Sequence, residues 1–136
     1  MTTSAESEDR QRVGSRRRSV ARLAAVQALY QLEANSEADP ELFADIVCGA
    51  TDDLERLDTE ISAALTDDWP LSRLDSVLRA ILRAGAYELI HRRDVPPRVS
   101  LSEYTAIAYA FFTGKEPGLA NGVLNHLAHT LRDSDL

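Results

Sequence analysis

Residues 74–89, LDSVLRAILRAGAYEL, decide the fold class of this chain. Apolar positions in this stretch recur every three or four residues and so form a broad stripe along one side of an α-helix. Gly85 lies within the stripe, where the absence of a side chain allows a neighbouring helix to approach closely. Trp69-Pro70 before the stretch and Pro96-Pro97 after it mark its limits, because proline lacks the N–H that a helix interior requires. The stretch therefore predicts a buried helix.

The same helical spacing continues on both sides, and no segment shows the strict alternation of a strand. We expect helices over about 17–34, from Pro40 to about residue 64, and from about Ser72. Two more are expected to begin at a capping box at Ser100 and at Pro117. Residues 1–15 are polar and have nothing to bury, so we predict a disordered arm followed by one all-α domain over residues 16–136.

The composition is that of an ordinary soluble protein. Of the 136 residues, 44% are apolar and 27% are charged, which suits one compact domain. The lone Cys48 has no second thiol to pair with, and its apolar neighbours predict a buried, unreactive side chain. No apolar run reaches the length of a membrane span, and the first fifteen residues lack a signal-peptide core, so we expect a cytoplasmic protein without a membrane partner.

Charge is distributed very unevenly along the chain. Six of the fifteen basic residues lie between positions 10 and 22 with no acid among them, although the net charge is −7. Arg16, Arg17, Arg18 and Arg22 fall just before or within the first apolar run, so the predicted helix has a basic start that opposes its dipole. A bound phosphate would relieve this opposition, which favours a nucleic-acid ligand. The same cluster is also typical of a solvated basic tail, and both interpretations stand.

The following segment has the opposite charge. Residues 33–68 contain twelve acids and one base, Arg56. An acidic helix face repels phosphate, so we expect RNA to avoid that side of the protein.

The sequence offers no convincing catalytic or metal-binding group. Glu88 and His91 have the spacing of a di-iron ligand pair, but no second pair accompanies them. His126 and His129 lie three residues apart on a predicted helix and lack a third ligand nearby. We therefore expect a protein that is not an enzyme and that uses no metal or other cofactor.

Three segments together resemble the NusB family of transcription antitermination factors. They are RRSVARLAAVQALY at 17–30, LRAILRAGAYEL at 78–89, and the region from Val95-Pro96 to ANGVLN at 120–125. The resemblance extends over about residues 16–132. It implies an all-helical fold of two packed helical bundles, here about 16–68 and 71–132. It also implies binding of single-stranded boxA RNA together with the ribosomal protein NusE in the transcription elongation complex during rRNA transcription.

The resemblance also implies roles for individual residues. In the family the arginine-rich start and the first helix contact RNA, which would assign this role to Arg16, Arg17, Arg18 and Arg22. Asn121 lies in the region of the last helix that the family also places near RNA, and a role in helix packing explains it equally well.

The chain departs from the family pattern in two places. Only twelve residues separate Tyr30 from Phe43, where the family usually has a further helix. The apolar seam at Phe43, Val47 and Leu54 would then lack a cover unless a second chain packs there, which makes a homodimer an alternative. Near the end, Gly118 and Leu119 replace a basic and an aromatic residue of the family.

Two alternative functions stand beside the first. The first is a NusB-like protein-interaction module that has lost RNA binding and uses its exposed seam for a partner or a second copy. The second is the NusB-like domain of some rRNA cytosine methyltransferases, in which a catalytic domain follows. The chain ends at Leu136 without one, so we expect the first alternative rather than the second.

Overall fold

The computed structural model describes residues 3–136 and contains only helices over that range. Its α-helices are α1 (Ser4–Ala34), α2 (Pro40–Asp52), α3 (Leu54–Ala64), α4 (Ser76–His91), α5 (Pro97–Phe111) and α6 (Glu116–Arg132). Short 3-10 helices cover Leu71–Arg73 and Asp133–Asp135. The all-α prediction is confirmed. Over the same residues no helix combines the length and the apolar character needed to cross a membrane.

The first helix begins much earlier than predicted. A capping box starts it, in which Thr3 Oγ1 accepts a hydrogen bond from the backbone N–H of Glu6 and Glu6 Oε2 accepts one from Thr3. The helix therefore covers residues 4–15, which we expected to be a disordered arm, while Met1 and Thr2 of that arm lie outside the described residues. Thr3 and Glu6 carry this signal in the sequence as a Thr-x-x-Glu pattern.

The chain divides into two compact units, Met1–Pro40 and Glu41–Leu136. The first unit consists almost entirely of α1, which has no buried residue. Residues 35–39 connect α1 to α2 without a helix between them, as the short spacing predicts. This division differs from the expected sub-bundles of about 16–68 and 71–132.

The second unit contains one core built from α3, α4, α5 and α6. Leu57 and Ile61 of α3 are fully buried in the same cluster as Leu82 of α4 and Leu124 of α6. The helix α3 therefore shares one core with α4, α5 and α6. A methyl group on Gly85 would lie 2.9 Å from the Leu124 side chain, so the close helix approach predicted at this glycine is confirmed.

Several predicted helix boundaries are wrong. The helix expected from Pro40 to about residue 64 is interrupted at Asp53, whose φ of −112° and ψ of 22° lie outside the helical range. The helix expected from Ser72 starts at Ser76 because the Asp75 carboxylate accepts the N–H of Val77 at 2.8 Å and caps it.

The helix expected from Ser100 also begins earlier. It starts at Pro97, where proline is favoured, and Ser100 is turned into the core rather than capping the helix. Cys48 is exposed, contrary to expectation, because α2 buries no residue completely.

Candidate nucleic-acid interface

The arginine cluster lies on an uninterrupted helix. Arg16, Arg17, Arg18 and Arg22 all belong to α1, and their side chains are exposed. Within the described residues none of them forms an ion pair, so their charges are available to a ligand. The structure thus supplies the exposure that phosphate binding requires.

A continuous helix spreads these arginines around its axis rather than along one face. Arg18 and Arg22 are four residues apart and are therefore neighbours on one side. Arg16 and Arg17 are consecutive, so they point about 100° apart. No face of the helix presents all four guanidinium groups. A single RNA strand that runs straight along α1 can contact Arg18 and Arg22 together, but it contacts all four arginines only if it wraps around the helix.

An apolar stripe on α1 distinguishes these arginines further. Val20, Leu23 and Tyr30 share one side of the helix and are 59%, 58% and 68% exposed. At 3.6 residues per turn, the Arg18–Arg22 pair lies about 130° around the helix from this stripe, whereas Arg16 falls within its angular range. Leu29, which is 66% exposed, lies on the same side of α1 as Arg18 and Arg22, so a protein surface that covers Leu29 would cover this pair as well.

Asn121 lies in the other unit, on an exposed position of α6. Its Oδ1 accepts a hydrogen bond from Thr105 Oγ1 of α5 at 3.3 Å. This contact ties α5 to α6 and supports the packing role. Its role in RNA binding stays a prediction, as do those of the four arginines.

A polar network that the sequence did not predict attaches α2 to α4. Asp45 accepts hydrogen bonds from the Tyr87 hydroxyl at 2.7 Å and from Arg92 Nη1 at 3.0 Å. The hydrogen bond from Tyr87 and, to a smaller extent, the one from Arg92 lower the pKa of Asp45. The same bond to Asp45 raises the pKa of Tyr87 to about 12. Gly49 permits this arrangement, because a methyl group there would overlap the Tyr87 ring. The network fixes the acidic α2 against the second unit's core.

The Glu88 and His91 side chains have different partners. Glu88 is buried beside Tyr104. Burial and, to a smaller extent, the hydrogen bond to Glu88 raise the pKa of Tyr104. His91 Nε2 instead lies 2.7 Å from Asp53 Oδ2 at the break between α2 and α3. Within residues 3–136 no three potential metal ligands lie close together.

A family model, curated relatives and a solved structure all match this chain to the same family. The model of the NusB family matches residues 19–129. The transcription antitermination protein NusB of Brucella anthropi is 49% identical over 141 residues, which cover 85% of this chain and 84% of the relative. That of Brucella ovis is also 49% identical over 141 residues, with 85% and 82% covered. A solved structure of T. maritima NusB matches with a TM-score of 0.62 and 28% identity, covering 84% of this chain and 92% of that one.

Proposed function

The chain belongs to the NusB family, and we propose that it is a non-enzymatic antitermination factor that binds boxA-type single-stranded RNA together with the ribosomal protein NusE. The relatives named transcription antitermination protein NusB support the antitermination role. The observation that supports RNA binding is the cluster of six exposed arginines between positions 10 and 22 of α1, a stretch that contains no acid.

The charges of the protein define where the RNA would bind. Arginine forks match the geometry of phosphate, so α1 supplies affinity that does not depend on base sequence. Segment 33–68, with twelve acids and one base, repels the same ligand. RNA bound along α1 would therefore be kept away from α2 and α3. Sequence preference would come from unstacked bases contacted with the help of NusE.

A fluorescence-anisotropy titration tests this proposal. Labelled boxA-like RNA is titrated at low and moderate salt, with and without NusE, against the wild type and a variant with alanine at residues 16–18. We expect salt-sensitive binding that NusE strengthens and that the triple variant loses. The matched control removes three exposed arginines elsewhere, namely Arg56, Arg93 and Arg98. Equal losses in both triple variants would show that net charge alone acts and would contradict a site on α1.

The exposed apolar residues favour a second function, a protein-interaction module. In addition to the apolar stripe on α1, Val47 and Leu54 are 52% and 39% exposed on the predicted seam. Burying such side chains against a second copy would stabilise a homodimer. Sedimentation over a range of protein concentrations distinguishes the two functions. A concentration-dependent dimer that binds no RNA would support this alternative and contradict the first.

A further inference from the structure

The apolar stripe on α1 is exposed along its whole length. The helix is 31 residues long, and none of its residues is buried. Val20, Leu23 and Tyr30 are each more than half exposed. A row of large apolar side chains in water is uncommon on a monomeric protein and usually marks an interaction surface. The stripe therefore indicates a partner.

The spacing of the stripe is that of a seam between two helices. Its positions step alternately by four and three residues, as the a and d positions of a coiled coil do. They are Arg16, Val20, Leu23, Gln27, Tyr30 and Ala34. Residues at this spacing stay on one side of a helix over several turns, so they fit another helix that runs alongside α1.

The charges of α1 favour a second copy of the same helix, in antiparallel orientation. Positions 10–18 contain five arginines and no acid, whereas positions 33–37 contain two acids and no base. A parallel pair would place the two arginine clusters side by side, where like charges repel each other. An antiparallel pair instead brings the arginine cluster of each copy to the acidic end of the other copy.

The seam has a register in which these opposite charges meet. When Val20 lies opposite Tyr30 of the second copy, Leu23 lies opposite Gln27 of the second copy. The two-fold axis of the pair repeats both contacts. The polar Gln27 lowers the stability of such a seam while helping to fix its register, so we expect a weak dimer that dissociates on dilution.

We propose that α1 pairs with α1 of a second copy as an antiparallel two-helix dimer through the apolar stripe, with Arg16 of each chain beside Glu33 of the other. Arg18 and Arg22 lie about 130° around the helix from the stripe and stay outside the contact. The dimer thus leaves this arginine pair open to RNA. It differs from a dimer on the seam of α2, and it does not depend on the proposed RNA binding.

Sedimentation velocity of the full-length protein without RNA, over a wide range of concentrations, tests the contact face. Leu23→Glu places a charge in the stripe and should raise the dissociation constant of the dimer at least about 100-fold. The matched control is Leu29→Glu, because Leu29 is 66% exposed and lies on a different side of α1. The control should change the constant by less than about fivefold. Circular dichroism checks that both variants keep their helices.

Disulfide cross-linking tests the orientation. Val20→Cys and Tyr30→Cys are made as separate chains, each combined with Cys48→Ser, which removes the only native thiol. When the two chains are mixed and oxidised, a disulfide should join position 20 of one to position 30 of the other. Each chain alone should form no disulfide, because the two copies of one position are about 15 Å apart along the pair and a disulfide needs Cα atoms within about 7 Å.

Charge reversal tests the pairing of Arg16 with Glu33. Arg16→Glu removes two symmetric ion pairs and should raise the dissociation constant about 2- to 30-fold. Combining Arg16→Glu with Glu33→Arg restores opposite charges and should return the constant towards the wild-type value. No recovery in the combined variant would overturn this register.

The outcomes separate this inference from the proposed function. A protein that stays monomeric at every concentration overturns the dimer, leaves the stripe to a different protein and does not affect the proposed RNA binding. A dimer that Val47→Glu abolishes and Leu23→Glu preserves lies on α2 and also overturns the inference. Disulfides between two copies of the same position show a parallel pair and overturn the antiparallel arrangement. A dimer with the expected cross-link but no affinity for RNA supports this inference and contradicts the proposed RNA binding.

Discussion

Replacing Arg18 and Arg22 together with alanine should halve the salt dependence of RNA binding. Each phosphate neutralised on a single strand contributes about −0.7 to the slope of log affinity against log salt. RNA that wraps around α1 and engages all four arginines therefore gives a slope of about −3, and RNA that engages two of them gives about −1.4. A fourfold increase in salt then weakens wild-type binding about 50-fold and the double variant about 7-fold. These two arginines are exposed and are neighbours on one side of α1, so one strand can contact both of them.

The assay is anisotropy of labelled boxA-like RNA at four or more salt concentrations. The control replaces Arg56 and Arg98, which are also exposed and also remove two positive charges, but lie outside α1. The control should keep a slope of about −3. If the two double variants lower the slope equally, affinity follows net charge and the assignment to α1 is refuted. An unchanged slope in the Arg18 and Arg22 variant would refute the use of this pair.

Three further predictions concern the second unit. Gly49→Ala should lower the free energy of unfolding by about 1–3 kcal/mol in urea denaturation, because the new methyl group displaces the Tyr87 ring; an unchanged midpoint would contradict the close contact. The hydrogen bond to Asp45 raises the pKa of Tyr87 from 10 to about 12. The stability that this bond contributes is therefore complete below pH 10 and is lost as the pH rises towards 12. Urea titrations in that range should show part of this decline missing in Tyr87→Phe, and an identical decline would argue against the bond. Arg132 is only 3% exposed and donates a hydrogen bond to the backbone oxygen of Val95 at 2.9 Å. Arg132→Ala should therefore lower the free energy of unfolding by about 1–3 kcal/mol, measured by thermal unfolding. Full stability in Arg132→Lys would show that the guanidinium group is not required.

Much of the fold could be predicted from local patterns. The spacing at residues 74–89 predicted α4, and the glycine in its buried stripe predicted the close approach of a neighbouring helix at Gly85. The boundaries were less predictable, because caps compete along the chain. Asp75 rather than Ser72 caps α4, and Thr3 starts α1 upstream of the arginines. Such choices depend on which donor and acceptor groups the surrounding structure leaves unsatisfied.

The two candidate sites differ in how far the sequence could predict them. The arginine cluster is local, so charge counting along 10–22 was sufficient to find it. The network joins Asp45 to Tyr87, 42 positions later in the chain, and to Arg92, 47 positions later. No local sequence pattern signals pairs so far apart. Trp69 and Leu119, on distant segments of the chain, likewise line one cavity of about 310 Å³, and neither segment predicts an open space between them.

The sequence by itself therefore determined the all-α class, the charge separation between α1 and the segment after it, and the family. Helical periodicity and charge are properties of short segments, and they persist whatever the segments pack against. Only the tertiary structure decided that Leu57 and Ile61 of α3 share a core with α4 and α6, that Tyr87 reaches Asp45 over Gly49, and that Trp69 faces Lys115 across a cavity. These features depend on which helix faces meet, and that is set by the joint packing of all the side chains in the core.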